Sequence, residues 1–207
     1  MEKTTDRLIG MEWQMFDEVR HIEGRADCQD DFETFDIMRR SQFEAWSEEL
    51  RERYLLDLKR AEEEGRNLLS EKYAYMTQYN APGEYEKLRG LLPSLSEEKM
   101  GIIRRLADEH LVLYARLREE FPLVLSKGRK EYTAQELPYE ASIETYLLGE
   151  MSTYSLQTLE TYRLWMETLC ARGENIVYKT FENTLRHYGF GSLEEAERLF
   201  AGFLKKD

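Results

Sequence analysis

The sequence predicts an all-α protein: a single bundle-like helical domain over residues 1–207, with two or three long helices and several short ones. Proline occurs only four times and glycine 12 times, so the chain has few of the turns that a sheet would need. Apolar residues recur at three- and four-residue steps along most of the chain, which is the helical period. No alternation of apolar and polar residues is long enough to indicate a strand.

The N-terminal part is predicted to form two helices separated by a charged loop. The first begins after Thr4 or Thr5, either of which can cap it. The second is capped by Asp30 or Asp31 and continues towards Leu58. The first helix is predicted to be central, because two apolar stripes run side by side along it. These stripes are Leu8, Met11, Met15, Val19 and Ile22, and Ile9, Trp13 and Phe16.

Turn and capping signals divide the rest of the chain into six further predicted helices. They are, in order, one from Leu68 that stops at Asn80-Ala81-Pro82, one over 84–92 that closes at Pro93, one capped by Ser94 or Ser96 that ends at Phe121, a long one from Pro138 to Gly173, one over 174–188, and one opened by a capping box at Ser192 and Glu195.

Composition and charge restrict the class of partner. The chain carries 29 Lys and Arg against 41 Asp and Glu, a net charge of −12, which repels phosphate backbones and anionic lipid surfaces. We therefore predict neither a nucleic-acid nor a membrane partner. The two cysteines do not form a disulfide framework, and no apolar signal segment opens the chain, which favours a cytoplasmic location.

The loop between the first two predicted helices holds His21, Arg25, Cys28 and four carboxylates. Arg25 can clamp a carboxylate or a phosphate through its planar guanidinium. Cys28 could act as a nucleophile if a positive neighbour lowered its pKa. The alternative interpretation is an interhelical turn stabilised by an internal Arg–Asp pair.

A metal site is considered because Glu18 and His21 lie three residues apart, which can offer two ligands to one ion. No second Glu-x-x-His follows, and His110 and His187 lack a ligand spacing. We predict no metal site and leave the cofactor unknown.

A polar residue interrupts a predicted apolar face of the second helix. Gln42 falls on the face formed by Phe35, Met38 and Trp46, where it must find hydrogen-bond partners from a ligand or from another helix. Arg39 lies beside that face and could project towards the loop.

Glu150 falls within a face rich in tyrosine. That face is formed by Tyr139, Ile143, Tyr146, Glu150, Tyr154 and Gln157. Burial would raise the pKa of Glu150 and make it an acid or base at neutral pH, unless an arginine or tyrosine hydroxyls satisfy it.

The chain resembles a bacterial family that is catalogued as domain of unknown function 4125. The resemblance covers most of the chain and is carried by Met11-Glu-Trp-Gln-Met-Phe16, Gly24-Arg25, Cys28-Gln29, Met38-Arg39-Arg40-Ser41-Gln42, Ser142-Ile-Glu-Thr-Tyr-Leu-Leu-Gly-Glu150 and Thr153-Tyr-Ser155. It implies an all-helical bacterial cytoplasmic protein, and it supplies no catalytic residues.

These patterns predict binding of a small anionic metabolite, with acid–base chemistry on it as an option. Arg25 would bind the anionic group and Glu150 would be the acid or base. Gln42, Tyr146 and Tyr154 would orient the ligand beside Arg39, and Trp13 or Trp46 would form apolar walls. This hypothesis requires the first loop and residue 150 to be neighbours.

Two other functions remain open. One is a non-enzymatic interaction or regulatory module, with the aromatic stripes covered by a partner or by a second copy in a homodimer. An exposed face containing Tyr146 and Tyr154 would favour it. The other, less favoured, is a metal-dependent oxygenase.

Overall fold

A computed structural model describes residues 2–20, 24–126, 128–135 and 140–204. Within these ranges it contains ten α-helices, three short 3-10 turns and no β-strand, which confirms the all-α prediction. The helices are α1 (Glu2–Asp17), α2 (Phe32–Glu44), α3 (Glu48–Glu63), α4 (Leu68–Asn80), α5 (Pro82–Leu88), α6 (Glu97–Glu120), α7 (Ile143–Thr153), α8 (Leu156–Ala171), α9 (Ile176–His187) and α10 (Leu193–Leu204).

Short polar side chains define where many helices begin. Asp31 caps α2 and Ser96 caps α6, as predicted, because each side chain accepts a hydrogen bond from a backbone N–H of the first turn. Asn67 and Asn175 cap α4 and α9 in the same way. The predicted stop of α4 at Asn80 is also confirmed.

Two of the predicted helices are each divided into two shorter helices at a serine. The helix predicted to run past Trp46 to Leu58 ends at Glu44, and Ser47 caps α3. The helix predicted to run from Pro138 to Gly173 is interrupted at Tyr154, whose backbone is extended, and Ser155 caps α8. Apolar residues continue at helical spacing across each break, so neither serine was recognisable as a cap from the sequence.

The first helix was also predicted with the wrong limits. It begins at Glu2, so Thr5 is buried inside the helix and does not cap it. It ends at Asp17 and does not reach Val19, which is nevertheless buried. Several residues used in the predictions lie outside the described residues, namely His21, Ile22, Pro138 and Tyr139.

The helices pack around α1, α4 and α7, and most of the buried apolar side chains form one cluster. The α4–α7 contact is the most extensive, and α7 also packs on α6. Helix α1 contacts α2, α3 and α4, while α9 contacts α2 and α6. The wide apolar arc of the first helix therefore does face several neighbours, as expected of a central helix.

Gly149 determines how closely α7 lies on α4. A Cβ at this position would be 2.9 Å from the backbone oxygen of Lys72, so only glycine fits without a shift. This approach brings Glu150 next to Lys72. No helix within the described part of the chain is both long and apolar enough to cross a membrane.

Candidate functional site

Four charged side chains meet in the interior, each from a different helix. They are Glu12 from α1, Arg39 from α2, Lys72 from α4 and Glu150 from α7. Glu12 is fully buried, and the side chains of the other three are at most 13% exposed. Charged side chains are rarely buried to this degree unless they are paired. We call these four residues the charged cluster.

Arg39 joins the two carboxylates of the cluster. Its Nε and Nη2 donate to the two oxygens of Glu12, each at 2.5 Å, in a bidentate pair. Its Nη1 is 3.2 Å from both oxygens of Glu150 and also donates to Gln42 at 2.7 Å. The guanidinium fork thus fixes α2 against α1 and α7 at once.

Glu150 accepts hydrogen bonds from three further donors. Lys72 Nζ lies at 2.6 Å, the Tyr154 hydroxyl at 2.7 Å and Gln42 Nε2 at 2.8 Å. The hydroxyl of Tyr54 makes the equivalent contact with Glu12, at 2.7 Å. Two cations and two carboxylates therefore balance in charge inside a shell of hydroxyl and amide donors.

The electrostatics of Glu150 follow the alternative in which an arginine and a tyrosine hydroxyl satisfy the carboxylate. Burial does raise its pKa, but the charges of Arg39 and Lys72 outweigh burial and hold the pKa well below its ordinary value. Glu150 is thus a carboxylate at neutral pH and cannot serve as a general acid. Burial and the nearby carboxylates raise the pKa of Tyr54 and Tyr154 well above the ordinary value, so both remain hydroxyl donors.

The Lys72 side of the cluster is slightly more exposed than the Glu12 side, because the side chains of Lys72 and Glu150 are 9% and 13% exposed and that of Glu12 is 0% exposed. The Lys72 ammonium lies 5.2 Å from the ring centroid of Tyr146 and 6.0 Å from that of Tyr73. The guanidinium of Arg129 is 4.3 Å from the same Tyr146 ring and donates to its hydroxyl at 3.2 Å. Tyr146 therefore has a cation near its ring from each of two segments of the chain.

Several predicted site residues do meet in the structure. Glu150, Gln42, Arg39 and Tyr154 are joined by hydrogen bonds. Trp46 is buried behind them, with its ring 6.1 Å from that of Tyr154. Tyr154 itself is 1% exposed, so it does not form the exposed aromatic face that an interaction module would present.

Two other predicted site residues have local partners. Arg25 donates hydrogen bonds to Asp17, Gln29 and Asp30, and no hydrogen bond among the described residues joins it to Glu150. Trp13 packs against Phe16, Phe32 and Phe35 in an aromatic group. The interpretation of the first loop as a turn with an internal Arg–Asp pair matches these contacts.

Sequence reasoning missed Glu12, Tyr54 and Lys72. Two of them carry a readable signal, because Glu12 lies one turn from Leu8 and Phe16, and Lys72 lies one turn from Leu68 and Met76. A charge within an apolar stripe needs a buried partner. Tyr54 carried no signal, because a phenol in a core face is ordinary.

No group of three His, Cys, Asp or Glu side chains suited to a metal ion occurs among the residues for which the structure gives a placement. His21 of the Glu18–His21 pair lies outside them. Cys28 and Cys170 are exposed and free.

A family model described as "Protein of unknown function (DUF4125)" matches residues 2–198. The chain belongs to this family. The match includes all four helices that form the charged cluster, and it confirms the resemblance in the sequence. Neither a search of curated proteins nor a search of solved structures found a match.

Proposed function

We propose that the protein binds a small anionic metabolite at the Lys72 edge of the charged cluster. The observation that carries this proposal is the state of the Lys72 ammonium. Its side chain is 9% exposed, yet the described residues accept only one hydrogen bond from it, through Glu150. An ammonium has three donors, and leaving donors unused in a nearly buried position costs free energy that a bound acceptor would recover.

The charges around this edge favour an anion over a neutral ligand. The cluster itself is balanced, with Glu12 and Glu150 against Arg39 and Lys72. Arg129 adds a positive charge, because its hydrogen bonds go to the carbonyl of Ala141 and the hydroxyl of Tyr146, which are uncharged. A carboxylate or phosphate beside Lys72 and Arg129 would restore neutrality.

Each neighbouring residue has a role in this proposal. Lys72 and Arg129 hold the anionic group, and the ring of Tyr146 forms the adjacent wall. Glu150 accepts a hydrogen bond from Lys72 and positions it, and Gln42 in turn donates to Glu150. The strongly lowered pKa of Glu150 makes it a weak base in this state. A ligand that moves the Lys72 ammonium away from Glu150 would remove one of the charges that lower the pKa of Glu150. Glu150 would therefore be able to accept a proton only when the ligand is bound.

The test is a thermal-shift screen of small carboxylates and phosphates against the wild-type protein, Lys72→Met and Lys99→Met. Lys99 is the control because it is a partly buried lysine of another helix, which donates to the carbonyl of Ser152 at 2.7 Å. A ligand at 100 times its Kd should stabilise the wild type by about 2.7 kcal/mol. The gain should vanish in Lys72→Met and persist in Lys99→Met. Equal gains in Lys72→Met and the wild type would refute the proposal.

A further inference from the structure

A cleft away from the Lys72 edge contains a buried arginine that has no carboxylate partner among the described residues. The cleft has a volume of about 1020 Å³, and Arg51 on α3 contributes to its lining. Arg51 is only 4% exposed. Its Nη1 donates to the carbonyls of Phe43 and Trp46 at the end of α2, at 2.9 and 2.8 Å, while its buried Nε has no hydrogen-bond partner among the described residues.

The absence of a carboxylate partner is reflected in the pKa of Arg51. Burial lowers the pKa of its guanidinium, although the charges of Glu48, Glu44 and Glu52 raise it. Those carboxylates are therefore close enough to act through space, but none forms an ion pair with Arg51 in the described part of the chain. A buried guanidinium in this state is stabilised by any carboxylate that reaches it.

The other charges of the cleft are already matched, with one exception. Arg40 pairs with Asp6 and Asp36, both at 2.8 Å, and the ring of His187 lies 3.0 Å from Glu44. Glu48 is exposed and has no ion pair within the described ranges. It precedes Arg51 by three residues on α3, so the two side chains project from the same face of the helix.

Two indole rings supply the apolar part of the cleft. Trp46 is buried against Tyr54 and Tyr154, and the Trp165 Nε1 donates to the carbonyl of Ala45 at 2.9 Å. Both rings are therefore held in fixed orientations beside Arg51. A few placed polar groups next to a rigid aromatic wall are typical of a small-molecule site, and the volume is ample for one.

We propose that this cleft binds a zwitterionic small molecule of the amino-acid type, with its carboxylate on Arg51 and its ammonium towards Glu48. A simple anion fits less well, because the lining carries four carboxylates against two guanidinium groups. A simple cation leaves Arg51 unpaired. A ligand with both charged groups on one carbon satisfies both residues, and its side chain contacts the two tryptophans.

Isothermal titration calorimetry with matched probes tests this proposal. L-phenylalanine is compared with phenylpropanoate, which lacks its ammonium, and with phenylethylamine, which lacks its carboxylate, and L-leucine serves as a second zwitterion. We expect at least one amino acid to bind about tenfold or more tightly than either single-charge analogue. The proposal is overturned if neither amino acid binds at millimolar concentration, or if an analogue binds equally well.

Variants locate the site. Glu48→Gln should weaken amino-acid binding about tenfold and leave phenylpropanoate unaffected or tighter, because only the ammonium loses its partner. Glu52→Gln is the matched control, since Glu52 is an exposed glutamate of the same helix that does not line the cleft. Equal affinity in both variants would overturn the assignment. Lys72→Met should retain amino-acid binding, so this site and the proposed function can fail separately.

Discussion

Arg25 and Arg39 each contact two carboxylates, but they do so in different surroundings. Arg25 in the first loop pairs with Asp17 and Asp30, and its side chain is 44% exposed. Arg39 pairs with Glu12 and Glu150, and its side chain is 11% exposed. Water and salt screen the first set of pairs, whereas the second lies where charge interactions are strong and unpaired charges are costly.

The two arginines also differ in what they connect. The partners of Arg25 lie within eight residues of it, so these pairs stabilise one turn. The partners of Arg39 lie 27 and 111 residues away, so it joins α1, α2 and α7. The contrast teaches that charge density in a loop is a poor guide to a site, whereas a charge inside an apolar helix face identifies long-range contacts.

Among the variants that test this comparison, Arg39→Met is expected to change the free energy of unfolding most. Removing the guanidinium leaves Glu12 with no cationic partner among the described residues and leaves Glu150 with Lys72 alone. We expect a loss of about 3–5 kcal/mol in the free energy of unfolding, as is typical when one partner of a buried pair is removed. Urea unfolding followed by far-ultraviolet circular dichroism measures it.

Arg25→Met is the matched control for this loss, because it removes the same group from the exposed pairs. We expect no measurable change in its urea midpoint. Adding Glu12→Gln to Arg39→Met should recover part of the loss, because the second change removes the unpaired buried charge. If Arg25→Met and Arg39→Met are equally unstable, the distinction between the two regions is wrong.

The dependence of stability on pH should also originate from a buried residue, His110. His110 is buried in α6, where Nδ1 donates to the carbonyl of Leu106 and Nε2 accepts from the hydroxyl of Tyr162 at 2.9 Å. Burial lowers the pKa of His110 from 6.5 to about 4, since the neutral ring is favoured in the folded state. The unfolded chain therefore binds more protons between about pH 6.5 and pH 4, and stability falls as the pH falls through that range.

We expect this linkage to cost up to about 3 kcal/mol by pH 4, the equivalent of the shift in the pKa of His110. Urea midpoints measured from pH 7 to pH 4 would show the decline in the wild type. In His110→Gln the decline in stability should be much shallower until carboxylates begin to titrate. Glu150 is one of these carboxylates, because a lowered carboxyl pKa contributes stability that is lost at still lower pH. Asp30→Asn in the first loop should leave the wild-type profile unchanged, and a profile altered there would count against an interior origin.

The sequence predicted much of the fold because helical periods and caps are local properties. Asp31 and Ser96 were identifiable as caps, but Ser47 and Ser155 were not, since apolar residues continue at helical spacing on both sides. The site was predicted only in part. Gln42 stood out as a polar residue on an apolar face, and its hydrogen bond to Glu150 does come from another helix.

What could not be predicted is how residues far apart in sequence meet. Glu150 stood out in a tyrosine-rich face, but the direction of its pKa depends on Lys72, 78 residues away, and on Arg39. Helix faces can be predicted from one segment at a time, whereas a pair between helices depends on how the helices pack. The charged loop drew attention to Arg25, although the arginine that pairs with two carboxylates in the interior is Arg39.

The smallest expected effect tests whether backbone packing positions the charged cluster. In Gly149→Ala the new Cβ would meet the backbone oxygen of Lys72 at 2.9 Å, which forces α7 away from α4 and separates Glu150 from Lys72. We expect a loss of about 1–3 kcal/mol in the free energy of unfolding. Gly10→Ala on α1 is the control: its Cβ meets nothing within 4 Å, and alanine at an exposed position of a helix should be neutral or stabilising by up to about 1 kcal/mol. If Gly149→Ala is as stable as Gly10→Ala, the α4–α7 contact adapts without cost, and the cluster is held by its hydrogen bonds alone.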